Sequence, residues 1–181
     1  MRNSICLFIL SIVLLSFPLH GQPAKPDSAQ NIIKSSVTKA HSSKKNVLLI
    51  FHATWCKWCK RLETALNDPE INSVINKHYI VTMLDVKERG DKIQTYENPG
   101  GQKLLSGFKG DSAGLPFVVF LNGDGNMIAN SNVMPQEQNI GYPGSPEEIT
   151  AFIELLKRTA AHITNKQCTV IKQYLVLHAP K

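Results

Sequence analysis

Hydrophobic positions in the first half of the chain predict alternating helices and strands. Residues 28–41 place apolar side chains at helical spacing, which predicts an amphipathic helix. An unbroken apolar run over 47–52 is too short for a helix with its own core face and is typical of a strand buried on both sides. A helical period then runs from 56 to 67, a shorter helical stretch covers 70–76, and 79–86 predicts another buried strand.

The second half of the chain predicts a β-hairpin and two helices. Residues 117–121 and 127–129 are strand-like, and the turn sequence Asn-Gly-Asp-Gly joins them. Ser145-Pro146 followed by two glutamates is typical of a helix start, and a final helix is predicted over 167–178.

Residues 87–114 form a polar, glycine-rich connection between these halves, with a turn or two of helix expected over 102–108. The connection is longer than a compact domain needs, so it is a candidate for recognition or for a lid.

The order of elements predicts the fold class and the division of the chain. Helix, strand, helix, strand, hairpin and helix indicate an α/β fold in which helices cover both faces of a central mixed β-sheet. The predicted divisions are a signal peptide over 1–21, a leader and helix over 22–45, a core domain over 46–164 with the insertion at 87–114, and a C-terminal helical extension over 165–181.

The first residues have the pattern of a secretory signal peptide. Arg2 precedes an apolar run over 5–15, Pro18 breaks the pattern, and Gly21 offers a small residue for cleavage. The run is short for a bilayer span, although an uncleaved anchor remains the alternative. This pattern predicts a periplasmic or secreted protein.

Composition and charge narrow the class of partner. Of the 181 residues, 43% are hydrophobic and 19% are charged, which fits a globular domain and disfavours a disordered chain. The formal net charge is +6, but the basic residues are scattered among polar neighbours. A solvated positive surface is therefore favoured over nucleic-acid binding.

Three cysteines remain beyond the predicted signal peptide: Cys56, Cys59 and Cys168. An odd number does not indicate a framework of structural disulfides. Cys6 lies near the start of the apolar run and receives no role. Cys168 is interpreted as a small packed residue, with an intermolecular disulfide as the alternative in an oxidising compartment.

The spacing Cys-Lys-Trp-Cys at the end of a strand and the start of a helix favours redox chemistry. A first-turn cysteine faces unpaired backbone N–H groups and the positive end of the helix dipole, and Lys57 and Lys60 add positive charge. We therefore expect a lowered pKa for Cys56, the nucleophile. Cys59 lies one turn further on and is the resolving thiol.

The motif Trp55-Cys56-Lys57-Trp58-Cys59-Lys60 after an apolar strand, with Leu115-Pro116 before a later strand, resembles the thioredoxin superfamily over about 46–152. The resemblance implies a thioredoxin-like three-layer fold and a cis-proline bond at Pro116. It also implies that the Leu115 backbone pairs with an extended substrate. Trp55 and Trp58 offer flat apolar surface to a partner polypeptide.

The segments "ATWCKWCKRLE" and "NDPEINSVINKHYI" are similar to secreted thioredoxin-like proteins and to the C-terminal domain of the thiol:disulfide interchange protein DsbD. Glu63 matches an acidic helix residue of that domain, which implies a partly buried carboxylate that moves protons to or from Cys59. A surface carboxylate paired with a lysine is the alternative. The buried aspartate of typical thioredoxins is Ile50 here. The similarity implies a reductase or interchange protein that acts on protein thiols and disulfides and is supplied with electrons by a membrane partner. An oxidase or isomerase is the alternative, because an oxidising compartment can run the same couple backwards. We expect a monomer with no cofactor besides the disulfide.

Two other functions remain open at this stage. A metal site, with copper on two thiolates the favoured form, would use both cysteines and His52, but no second ligand pair accompanies them. A non-catalytic binding module would use the tryptophans and the 87–114 connection, yet it would need neither cysteine. No metal is therefore predicted.

Overall fold

A four-stranded mixed sheet forms the centre of the computed structural model, which describes residues 25–180. Its strands are β1 (Asn46–His52), β2 (Tyr79–Asp85), β3 (Phe117–Leu121) and β4 (Met127–Asn130). They lie in the order β2-β1-β3-β4; β1 and β2 are parallel, and the other pairs are antiparallel. The predicted signal peptide over 1–21 lies outside the described residues.

Helices cover both faces of this sheet. Their bounds are α1 (Ala29–Ser43), α2 (Lys57–Asn67), α3 (Pro69–His78), α4 (Lys92–Tyr96), α5 (Gly101–Gly107), α6 (Pro146–Thr159) and α7 (Asn165–Leu177). Within residues 25–180, none of them is long and apolar enough to cross a membrane.

The apolar run of β1 is buried because both of its faces meet helices. Leu48 and Ile50 pack with apolar residues of α2, α3, α6 and α7. Leu49 and Phe51 point to the opposite face, where α1 and α5 supply the core. The predicted α/β class, with a central mixed sheet between two helical layers, is confirmed.

Local capping interactions define where several helices begin. Ser28 caps α1 by accepting a hydrogen bond from the Asn31 N–H at 3.2 Å. Ser145 and Glu148 form a reciprocal capping box at the start of α6, with Pro146 in its first turn. The Ser-Pro-Glu-Glu sequence therefore acts as predicted.

Three features differ from the sequence prediction. Strand β2 lies at an edge of the sheet and is only partly buried, because it has a strand neighbour on one side alone. The connection over 87–114 contains helix α4 as well as the expected α5. Beyond β4, the short strands β5 (Asn132–Met134) and β6 (Gln138–Asn139) pair into a second small sheet that the pattern did not indicate.

Candidate active site

Cys56 and Cys59 form a disulfide at the start of α2, directly after the loop that leaves β1. Cys56 is the N-cap residue, and its Sγ accepts a hydrogen bond from the Cys59 N–H at 3.1 Å. A turn in which the Cys56 N–H donates to the Ala53 carbonyl at 3.0 Å precedes the helix. Both cysteines are buried, with no more than 3% of either residue exposed.

Leu115, the residue before Pro116, lies against this disulfide. The Leu115 carbonyl oxygen is 3.5 Å from Cys56 Sγ, and the Leu115 side chain packs against Ala53 and the two cysteines. The Leu115–Pro116 peptide bond is cis. The Asn139 side chain holds this loop by donating to the carbonyls on either side, those of Gly114 at 2.8 Å and Pro116 at 3.0 Å.

Trp55 and Trp58 directly precede the two cysteines in sequence, and both are more than 40% exposed. The Trp55 indole N–H donates to the Lys87 carbonyl at 2.8 Å, so the ring is held while its face stays open. Trp58 stacks on Tyr142 with 6.1 Å between ring centroids. Large exposed rings fixed beside a reactive sulfur form a surface suited to a polypeptide partner.

A cavity of about 600 Å³ opens beside Trp58 and Leu115, and Tyr142 and Pro180 also line it. The C-terminal segment is fixed to this wall because the Arg61 guanidinium donates to the His178 carbonyl at 2.8 Å. The predicted substrate-binding residues Trp58 and Leu115 therefore share one groove next to Cys56.

Glu63 is exposed on α2 and does not occupy the partly buried position that sequence reasoning gave it. Its carboxylate is near enough to Asp85 to affect that residue's pKa. Ile50 is buried in the core, so a carboxylate is absent from that strand position. A role for Glu63 in proton transfer stays a prediction.

Two titratable groups that the motif did not indicate lie at the ends of β1 and β2. His52 and Asp85 are direct neighbours in the parallel register, with 3.5 Å between His52 Nε2 and Asp85 Oδ1. Partial burial raises the pKa of Asp85; the nearby His52 acts against the rise, while Glu88 and Glu63 add to it. No sequence signal paired these two residues, since the pairing depends on strand register.

Replacing Asp85 with asparagine is expected to raise Tm at pH 7. The folded chain holds the Asp85 proton more firmly than the unfolded chain, so stability is lost as pH rises through the raised pKa, and ionised Asp85 is a net cost at neutral pH. Asparagine removes that cost. The difference in Tm between the variant and the wild type should disappear as the pH falls towards about 4, the ordinary pKa of an aspartate. Thermal melts from pH 4 to 8 measure it, with exposed Asp91→Asn as the control. A lower Tm for Asp85→Asn at pH 7 would contradict the expectation.

Glu88 is a further site residue that sequence reasoning missed. It is 6% exposed and accepts two hydrogen bonds from Thr54, one from the backbone N–H at 2.5 Å and one from the hydroxyl at 2.8 Å. Thr54 lies two residues before Cys56. The contact joins positions 34 residues apart, so only the three-dimensional arrangement reveals it.

The sequence matches one family model over residues 21–175, that of Thioredox_DsbH, described as "Protein of unknown function, DUF255". No curated protein matches the chain.

Solved structures similar to this chain have thioredoxin-like and disulfide-exchange descriptions. A disulphide isomerase from Xylella fastidiosa Temecula1 is 19% identical, with 92% of this chain and 98% of that chain covered and a TM-score of 0.48. A structure described as DsbH oxidoreductase is 18% identical, with 83% and 94% covered and a TM-score of 0.45. The C-terminal domain of Neisseria meningitidis DsbD in the oxidised form is 26% identical, with 58% and 84% covered and a TM-score of 0.42.

Proposed function

Because the chain belongs to the Thioredox_DsbH family of the thioredoxin superfamily and is a thiol:disulfide oxidoreductase, we propose that it is an exported reductase of protein disulfides. The observation that carries the chemistry is the Cys56–Cys59 disulfide at the start of α2, in contact with Leu115. The direction is supported by the sequence similarity to the C-terminal domain of DsbD.

Electron transfer proceeds in two exchange steps. In the reduced protein, the Cys56 thiolate attacks one sulfur of a partner's disulfide; a mixed disulfide forms, and the other partner sulfur leaves as a thiolate that takes up a proton. Cys59 then loses its proton and attacks Cys56 Sγ, which closes the Cys56–Cys59 bond and releases the second partner thiol. Two electrons pass to the partner, and a membrane electron donor reduces the protein again.

The position of Cys56 at the N-terminus of α2 favours the thiolate form of this cysteine. Cys56 stands at the N-terminal end of α2, where the helix dipole is positive, and the Cys59 N–H donates to its sulfur at 3.1 Å. Lys57 and Lys60 are exposed on the same first turns and add positive charge. Cys59 lies three residues further along, within the first turn of α2, where its thiol is placed to resolve a mixed disulfide formed at Cys56.

The partner is proposed to lie across Leu115 with one side chain in the neighbouring cavity. Trp58 and Tyr142 give that cavity an aromatic wall, and Leu115 forms its edge towards the disulfide. An extended protein segment fits such a surface, since its backbone reaches the loop while its side chains enter the pocket.

Export is proposed from the pattern of the first 21 residues, with an oxidising compartment as the place of action. Sequencing the N-terminus of protein recovered from the producing cells tests this proposal. A mature protein that begins near residue 22 is expected, and one that keeps Met1 would contradict cleavage.

The reduction potential of the Cys56–Cys59 couple tests the proposed direction. The protein is equilibrated with glutathione buffers and the redox state is read from tryptophan fluorescence, because Trp55 and Trp58 are the sequence neighbours of the two cysteines. A value near −270 mV, roughly that of an electron donor, is expected, whereas one near −120 mV, roughly that of a strong oxidant, would reverse the direction. The Cys56→Ser/Cys59→Ser double variant gives the baseline. No reversible transition in the wild type would overturn the proposed function.

A further inference from the structure

The residues that follow β2 touch both loops that flank the disulfide. The Lys87 carbonyl accepts from the Trp55 indole, and the Arg89 guanidinium lies 4.0 Å from the centre of the Trp55 ring. The Lys87 ammonium donates to the carbonyls of Asp111 and Ala113, each at 3.0 Å, in the loop that leads to Leu115. This segment, 86–89, therefore links the loop over 53–56 that precedes α2 to the loop over 111–116 that contains Leu115 and Pro116.

Glu88 is the buried member of segment 86–89. Its carboxylate takes both hydrogen bonds from Thr54, and within residues 25–180 no basic nitrogen lies within 4.0 Å of it. Its own backbone N–H is fixed by the Glu97 carboxylate at 2.9 Å. A buried carboxylate without a close counter-ion destabilises the fold, which argues against a purely structural use of this residue.

The position of Glu88 allows its charge to act on Cys56. Thr54 and Cys56 are two residues apart, which is at most about 7.6 Å between their Cα atoms. The Glu88 carboxylate itself lies 2.5 Å from the Thr54 nitrogen, and its burial weakens the screening of its charge by salt. The disulfide carries no charge, whereas the reduced protein places a thiolate at Cys56. A negative charge on Glu88 therefore raises the free energy of the reduced form and leaves that of the disulfide form unchanged.

We propose that Glu88 is a positioning residue for disulfide exchange: it fixes the Thr54–Cys56 loop through two hydrogen bonds, and its charge disfavours the reduced form so that the dithiol gives up electrons more readily. This inference rests on the proposed reductase function and supplies a physical cause for its direction. Other charged groups surround the loop. They are Asp85 and His52 at the strand ends, Glu63 on α2, Lys92 and Glu97 at α4, and Arg89 over Trp55.

The Glu88→Gln variant separates charge from geometry. Glutamine has nearly the same shape; its amide oxygen accepts from the Thr54 N–H, and its amide nitrogen donates to the Thr54 hydroxyl oxygen, so the loop stays fixed. The equilibrium constant with glutathione is expected to shift three- to tenfold towards the dithiol, and tenfold corresponds to about 30 mV. The apparent pKa of the Cys56 thiol, followed by thiolate absorbance in the reduced protein, is expected to fall.

Asp91→Asn is the matched control, since it removes one exposed carboxylate from the same part of the chain. Its equilibrium constant is expected to stay within twofold of wild type. Lys92→Gln is an independent check that leaves Glu88 in place. The Lys92 ammonium is 3.4 Å from the Thr54 hydroxyl, and its removal is expected to shift the equilibrium the opposite way, towards the disulfide.

The outcomes distinguish this inference from the proposed function. A reversible wild-type couple with Glu88→Gln indistinguishable from wild type, or with Asp91→Asn shifted equally, would overturn the role of Glu88 and leave the reductase proposal standing. A shift of the Glu88→Gln couple towards the disulfide would overturn it as well. If Glu88→Gln does not fold, a Lys92→Gln shift towards the dithiol, or no shift at all, would likewise overturn the role of Glu88.

Discussion

Replacing Cys56 with serine is expected to abolish disulfide exchange, with a loss of at least about 100-fold in the rate of insulin reduction by dithiothreitol. In other enzymes, removal of a catalytic nucleophile lowers the rate by a much larger factor than this. Cys56 caps α2, and its sulfur lies 3.5 Å from the Leu115 carbonyl oxygen at the edge of the groove, so we expect a partner's disulfide to meet this atom first. Serine keeps the cap but is a far weaker nucleophile at neutral pH.

The companion variant Cys59→Ala should instead accumulate the mixed disulfide. It leaves the attacking sulfur in place and removes the thiol that resolves the intermediate, so partners stay attached through Cys56. Non-reducing gels and intact-mass measurements detect the product.

Cys168→Ser is the control for both cysteine variants. Cys168 lies on the buried face of α7, and burial raises the pKa of its thiol, which makes it a poor nucleophile. Full activity is expected for this variant. Exchange that survives Cys56→Ser and disappears only when Cys168 is also replaced would contradict the assignment of the nucleophile.

The Phe51→Ala variant is expected to lose about 3–5 kcal/mol of unfolding free energy, the usual cost of deleting a buried phenylalanine ring. Phe51 is fully buried on the central strand β1. Its ring lies 6.2 Å from both Phe108, which follows α5, and Phe117, which opens β3. The space left by the missing ring would therefore weaken the packing of both the insertion over 87–114 and strand β3, which follows Pro116.

Denaturant unfolding of the oxidised protein measures this loss, and Phe51→Leu is the graded control. Leucine keeps most of the apolar volume, so its cost should be below that of alanine, at about 1.5 kcal/mol or less. A Phe51→Ala loss under about 1 kcal/mol would show that the core refills the space and that this ring does not anchor the insertion.

The parts of the fold that the sequence predicted are those with a local physical signal. The unbroken apolar run before His52 identified β1, because only a strand covered on both faces tolerates it. Ser145 and Glu148 marked the start of α6, since a capping box needs only residues three apart. Strands β5 and β6, with three and two residues, are too short to show a period of two, so they were missed.

The chemistry of the candidate site was predictable where it lay within one segment. The cysteine pair and its place at a helix start are local features, and Leu115-Pro116 was found through family resemblance. Glu88 was not found, because a polar residue in a polar connection gives no sign that it will be buried against Thr54. Glu63 was placed too deep for a related reason, since a helical face does not specify how close the neighbouring sheet approaches its edge.

The anchoring of the His178 carbonyl by Arg61, together with Pro180 in the cavity wall, has a practical consequence for handling this protein. A purification tag or fused domain attached after residue 180 would emerge beside Trp58, on the face that a partner protein must approach. Such a fusion would slow reactions with folded proteins more than reactions with a small disulfide such as oxidised glutathione, so substrate preferences measured on it would be distorted.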